Sequence, residues 1–268
     1  MRILLLIACG LCFLSVSAQK NEGDFYLLKA DGSGAKDLES ATQFLHVQKQ
    51  NDTTYLCRYY QKSGPMIRWE TYKDVTLDTP HGLFAWYNTR GYVDSSGYVF
   101  NGKKDNDWYY SLDDSGHAKQ KAVYYRGKLL ERIDYAAKMV YRPGQAPEPL
   151  DKPGKEDGHD TTITVVQIAA QFPGGLRGWT KYLERNLKTP DRFLSLSTPG
   201  RKASVGVEFF VSKEGNVTNV SIFHSCEWSV DTEAMRVLKE SPRWMSAFQN
   251  GKAVIYRHHQ TITFQVGG

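Results

Sequence analysis

The chain has 268 residues, 41% hydrophobic and 13% aromatic, which excludes a disordered polymer and suffices for two modest domains with separate cores. Its formal charge of +5 comes from 34 basic and 29 acidic residues, interspersed, with no basic run that would track a nucleic-acid backbone. Sixteen tyrosines against five methionines lean toward β-structure, where aromatic rings pack on pleated surfaces.

The N-terminus reads MRILLLIACGLCFLSVSAQK: one Arg, an apolar run from Ile3 to Val16, then small residues before Gln19. That pattern predicts a secretory signal over residues 1–18, cut after Ala18; at about fourteen residues the apolar run falls short of the ~20 that span a bilayer. Leu6-Ile7-Ala8-Cys9 offers a lipoprotein box as the rival, but it leaves little apolar sequence before the cut. Cleavage after Ala18 removes Cys9 and Cys12. The remaining Cys57 and Cys226 make neither a disulfide framework nor a metal-ligand spacing, so free, partly buried thiols are expected, with an interdomain bridge as the alternative.

Residues 19–140 are read as a β-rich domain. Aromatic runs such as HGLFAWYNTRG, SSGYVFNGKKDNDWYYSLDDSG and AVYYRGKLLERIDY alternate with turn signals. A shift of 25 positions lays Gly91 on Gly116, Phe84 on Tyr109, Phe100 on Tyr125 and Gly102 on Gly127, so FNGK matches YRGK. A fixed period marks repeats that share one core, and Asn-Gly between aromatic residues marks a hairpin. These residues resemble MORN-like repeats of bacterial envelope proteins, in about three imperfect copies; the resemblance implies a meander that serves as scaffold or binding surface. Trp86 and Trp108 are read as repeat core, and Asp105, Asp107, Asp113 and Asp114 as turn residues. Residues 141–160, with four prolines and three glycines, read as a linker.

Residues 161–268 are read as a second domain. After TITVVQIAA, the spacing of Leu176, Trp179, Leu183 and Leu187 predicts an amphipathic helix ended by Pro190, where the chain turns toward its first long strand. A strand follows with Val205, Val207, Phe209 and Val211 on one face, then a turn in which Gly215 takes the left-handed position, then a return strand with Val220 and Ile222. Ser229 or Asp231 is the expected cap of a helix whose stripe is Val230, Ala234, Val237 and Leu238. One long closing strand, AVIYRHHQTITFQV, puts Val254, Tyr256, Ile262, Phe264 and Val266 on one parity and Arg257, His259, Thr261 and Thr263 on the other. Helix, strand, strand, helix, strand with helices on one face is α+β.

From Gln171 to Val266 this order resembles the C-terminal domain of TonB, the periplasmic part of the bacterial energy transducer. The residues that carry it are the Pro-Gly-Gly at 173–175, Pro190, VGVEFFVSKEGNVTNVSIFHS, DTEAMRVLKESPRW and NGKAV. Thr189 departs from the family's usual Tyr, and Ser246 from its Pro-Ala pair after the Trp. The resemblance implies β-augmentation: an extended segment of an outer-membrane TonB-dependent receptor, or another envelope protein, adds beside the last strand at Ile255–Gln265. The partner-binding residues expected there are Ile255, Arg257, His259, Thr261 and Thr263. The alternative is a structural envelope protein whose TonB-like domain only forms a homodimer through that strand.

His258 and His259 are adjacent and point to opposite faces of a strand, so they do not share a metal; His224 and Cys226 lack a further ligand. No nucleophile elbow, zincin helix or phosphate-cradling loop occurs. The sequence reading is therefore a periplasmic interaction protein: no enzyme, no cofactor, no metal, no nucleic acid and no evident small-molecule substrate. A cleavable signal and a short linker further imply binding without force transmission, since an energy transducer needs a membrane-spanning helix and a long spacer.

Overall fold

The computed structural model describes residues 23–150 and 168–266. The expected signal over 1–18 and the second half of the expected linker lie outside these residues.

Residues 24–149 form one antiparallel meander of eleven strands in strict sequential order. They are β1 Asp24–Leu28, β2 Gln43–Asn51, β3 Thr54–Gln61, β4 Met66–Tyr72, β5 Gly82–Tyr87 and β6 Val93–Phe100. After these come β7 Lys103–Leu112, β8 Ala118–Tyr125, β9 Lys128–Asp134, β10 Met139–Tyr141 and β11 Glu148–Pro149. The pairing of Val140 with Glu148 extends the sheet into the segment read as linker, because Gly144 at φ 76° turns the chain back beneath β10. Asp105 and Asp107 also lie in strand β7 rather than in a turn; Asp105 accepts the Arg126 N–H at 2.7 Å and Asp107 pairs with Lys121 at 2.8 Å.

The 25-residue period is a repeat of turn geometry. In the longer turns, Asn88 N–H donates to Tyr92 O at 2.8 Å and Asp113 N–H to His117 O at 3.0 Å. Each turn holds itself with a side-chain oxygen: Asn88 Oδ1 accepts from Arg90 N and Asp113 Oδ1 from Ser115 N, both at 2.9 Å. Gly91 and Gly116 sit at φ 85° and 82°. The shorter turns, Asn101-Gly102 and Arg126-Gly127, both place two consecutive residues at positive φ, the geometry that matches strand twist.

The meander buries two separate apolar clusters. On one face, Phe84, Val99 and Trp108 gather Tyr72, Trp86, Tyr110 and Tyr124. Lys104 Nζ closes this cluster, 4.3 Å from the Trp108 ring centre and 2.8 Å from Tyr110 Oη. On the other face, Phe44, Tyr60, Met66, Trp69 and Ala85 run into the core of the C-terminal region, so both halves share one hydrophobic interior.

The C-terminal region is α+β. Helix α1 spans Gly175–Asn186 and α2 Asp191–Ser195; strands β12 Lys202–Val211 and β13 Val217–His224 make a hairpin; helix α3 is Trp228–Lys239. Short strands β14 Ala247–Gln249 and β15 Lys252–Val254 precede β16 Tyr256–Gln265, and the main sheet has the order β13-β12-β16. The expected core faces are buried: Val205, Val207, Phe209 and Val211 of β12 against Val230, Ala234, Val237 and Leu238 of α3. Gly215 sits at φ 85°, and a side chain there would come within 2.1 Å of Trp244 O.

Four local expectations are corrected. Leu176 is 80% exposed, because no described element covers the first turn of α1; Trp179 carries the contact instead, against Phe172, Tyr182 and Trp244. Pro190 does not lead directly to a strand but caps α2, whose Phe193 is buried. Helix α3 is capped by Glu227, whose carboxylate accepts from Ser229 N and Val230 N at 3.1 Å, rather than by Ser229 or Asp231. The closing strand is interrupted at Ile255 between β15 and β16.

Candidate functional site

The three-stranded sheet has two edges, and they differ. Strand β16 pairs with β12 in an unbroken register of ten pairs, from Lys202–Gln265 to Val211–Tyr256. Its other side has no strand neighbour among the described residues. A continuous edge of this kind presents unpaired backbone N–H and C=O groups.

Strand β13 is blunted twice. Asn219 takes φ 51° where the β12–β13 register slips between Glu208 and Phe210, an irregularity that turns an edge away from flat pairing. Its C-terminal end is then occupied by the meander. Tyr87 Oη donates to Ile222 O and Ser225 N–H to Gly91 O, both at 2.7 Å. Tyr92 bridges His224 and stacks on its ring at 3.9 Å between centroids. Burial lowers the His224 pKa, which keeps the stacked imidazole neutral.

Of the five residues expected at the edge, Arg257, His259, Thr261 and Thr263 lie exposed on the outer face of β16, and Ile255, 62% exposed, stands just before it. A sixth residue organises them. Glu208 Oε2 on β12 accepts from Arg257 Nε and from His259 Nε2, each at 2.6 Å. Thr263 Oγ1 meets Ser204 Oγ at 3.0 Å. Thr261 pairs with Gly206, over which Phe223 lies so closely that a Cβ there would be 2.5 Å from its ring. Reading β16 alone misses Glu208; the parity of β12 supplies the signal, because Glu208 is the one acid among its outward positions.

The inner face of β16 is aromatic. His258 packs 5.1 Å from Phe209 and 5.2 Å from Trp244, and burial holds its pKa below the usual range, so it serves as a neutral ring in the core. His258 and His259 therefore point to opposite faces. Among the described residues no three metal-binding side chains cluster, and no helix is long and apolar enough to cross a membrane. Cys57 and Cys226 are free, and burial pushes their pKa values up to about 12 and about 11, which leaves them as poor nucleophiles.

Residues 198–266 match the family model for the Gram-negative bacterial TonB protein C-terminal, about a quarter of the chain. The match covers the β12–β13 hairpin, α3 and the whole of β16, and begins after α1 and α2. No curated protein matches the chain.

Proposed function

We propose that this is a non-catalytic cell-envelope protein whose C-terminal module captures an extended segment of a protein partner by strand addition at β16. The observation that carries the reading is the asymmetry of the two sheet edges. β13 is twisted and covered, whereas β16 offers ten residues, about 33 Å of strand, with one side unpaired among the described residues. The family match supports a periplasmic setting and a partner of the outer-membrane TonB-dependent receptor class. Backbone pairing supplies the affinity, while Arg257 and His259 above the sheet and His258 and Tyr256 below it read alternate side chains of the added strand. In this reading the meander is a MORN-like scaffold that mounts the module and leaves β16 as its open edge.

One observation favours self-pairing as a second reading. Ile168, Met245, Phe248 and Ile255 are all exposed large apolar residues around the β14–β15 hairpin, at the start of the same edge. Receptor-derived extended peptides titrated into the protein, followed by amide shifts, separate the two. Saturable shifts along Tyr256–Gln265 are expected; shifts that follow protein concentration and ignore every peptide would replace partner capture with dimerisation.

A further inference from the structure

The outer face of α1 takes no part in the β16 site. Arg177, Lys181 and Arg185 recur every four residues, so at 100° per residue they fall within an arc of about 80° and span about 12 Å of helix. All three are exposed, as is Lys188 just beyond the C-cap. The opposite side of the helix holds Trp179 against Phe172 and Trp244, so this ridge faces solvent.

Two other arginines of the module are held by carboxylates: Arg192 by Glu227 at 3.1 Å and Arg236 by Glu233 at 2.6 Å. Arg177, Lys181, Arg185 and Lys188 have no such carboxylate partner among the described residues, and the one acid on the helix, Glu184, lies on the same face about 20° from Arg177, which leaves the face in cationic excess. Residues 168–266 hold thirteen basic and eight acidic residues, a surplus equal to that of the entire chain. Three of the eight acids, Glu227, Asp231 and Glu233, are buried, so the surface is more basic than the composition.

We propose that this face of α1 is a docking surface for an anionic phospholipid bilayer. Spread along about 12 Å of helix, the three cations meet a planar array of phosphates together, whereas a single anion would touch one or two. Cations within a Debye length of a charged surface add their attractions, and the attraction weakens with salt. Docking through α1 would hold the module at a membrane while leaving β16 to bind its partner.

Co-sedimentation with vesicles tests this, using the chain from Gln19 onward, which keeps every described residue. Binding is expected to phosphatidylcholine–phosphatidylglycerol vesicles and not to pure phosphatidylcholine, and to fall as salt rises. The triple variant R177E/K181E/R185E should lose at least tenfold in affinity with an unchanged circular dichroism spectrum. K213E/R243E/K252E removes the same charge from exposed positions away from α1 and should lose much less. Equal losses in the two variants, or undiminished binding by the first, would overturn the proposal. So would binding to polyglutamate without binding to anionic vesicles, which would assign the ridge to an acidic polypeptide.

Discussion

Tyr60 of strand β3 donates its hydroxyl to Oδ2 of Asp231 in helix α3, 171 positions along the chain, at 3.2 Å. The same oxygen accepts from Ser225 Oγ at 2.5 Å, Oδ1 accepts from Cys226 N at 3.0 Å, and Ser225 Oγ in turn accepts from Met66 N at 2.7 Å. One buried carboxylate thus ties two strands of the meander to the head of α3. Arg58, also buried, donates to His46 Nδ1 at 2.8 Å in the same interface. The halves are joined through a buried, polar contact inside a shared core, which is why the meander can shield β13.

Removing either end of the Tyr60–Asp231 bond should weaken the whole fold. Asp231→Ala leaves the Tyr60 hydroxyl, Ser225 Oγ and Cys226 N–H without their acceptor and should cost about 2–4 kcal/mol. Tyr60→Phe deletes a single donor and should cost about 1–2 kcal/mol. Urea unfolding of the two variants and their combination checks this; additive losses would contradict a shared network.

Stability should fall as pH rises from acid toward neutrality. Burial raises the Asp231 carboxyl to about 7 from an ordinary value of 3.8, against the pull of its hydrogen bonds to Ser225, Cys226 and Tyr60. The folded protein therefore holds a proton that the unfolded chain has released, and the linked stability is complete below the unfolded value and lost as pH passes about 7. Thermal melts from acid to mildly alkaline pH should show this decline in the wild type. The decline should be reduced in Asp231→Asn, which carries no titrating proton.

Gly91 and Gly116 occupy the same turn position in successive repeats, at φ 85° and 82°, yet their surroundings differ. A side chain at Gly116 meets nothing within 4 Å, while one at Gly91 would stand 2.0 Å from Ser225 O. Gly116→Ala should cost only the backbone strain, about 1–2 kcal/mol. Gly91→Ala should cost about 1–3 kcal/mol more and should loosen the cover over β13, read as faster amide exchange at Ile222–Ser225.

Gly97 lies beneath Trp108, and an added methyl would be 2.1 Å from the indole. Gly97→Ala should therefore displace the ring that anchors the meander's free face, costing about 1–3 kcal/mol. A red-shifted tryptophan emission should accompany the loss; a native spectrum at unchanged stability would show that the cluster is not packed as described.

Much of this was legible in advance, for local reasons. Alternation of Val205, Val207, Phe209 and Val211 predicts a strand with one buried face, and the positive-φ demands of Asn101-Gly102 and Gly215 predict their turns. The parity of Arg257, His259, Thr261 and Thr263 likewise places them on one face of β16. Errors arose where a non-local partner decided the outcome. Leu176 has helical spacing but no described surface to bury against, and Glu227 won the cap because Asp231 is turned inward toward Tyr60.

Periodicity and turn chemistry by themselves therefore determined the main helices and strands of the last hundred residues, the buried faces of β12 and α3, and their α+β order. What only the tertiary structure decided is which edge the meander covers. Whether β13 or β16 can accept another strand depends on Tyr87, Gly91 and Tyr92, residues more than a hundred positions away. Backbone groups are identical in every residue, so no local pattern reveals which of them folding has already satisfied.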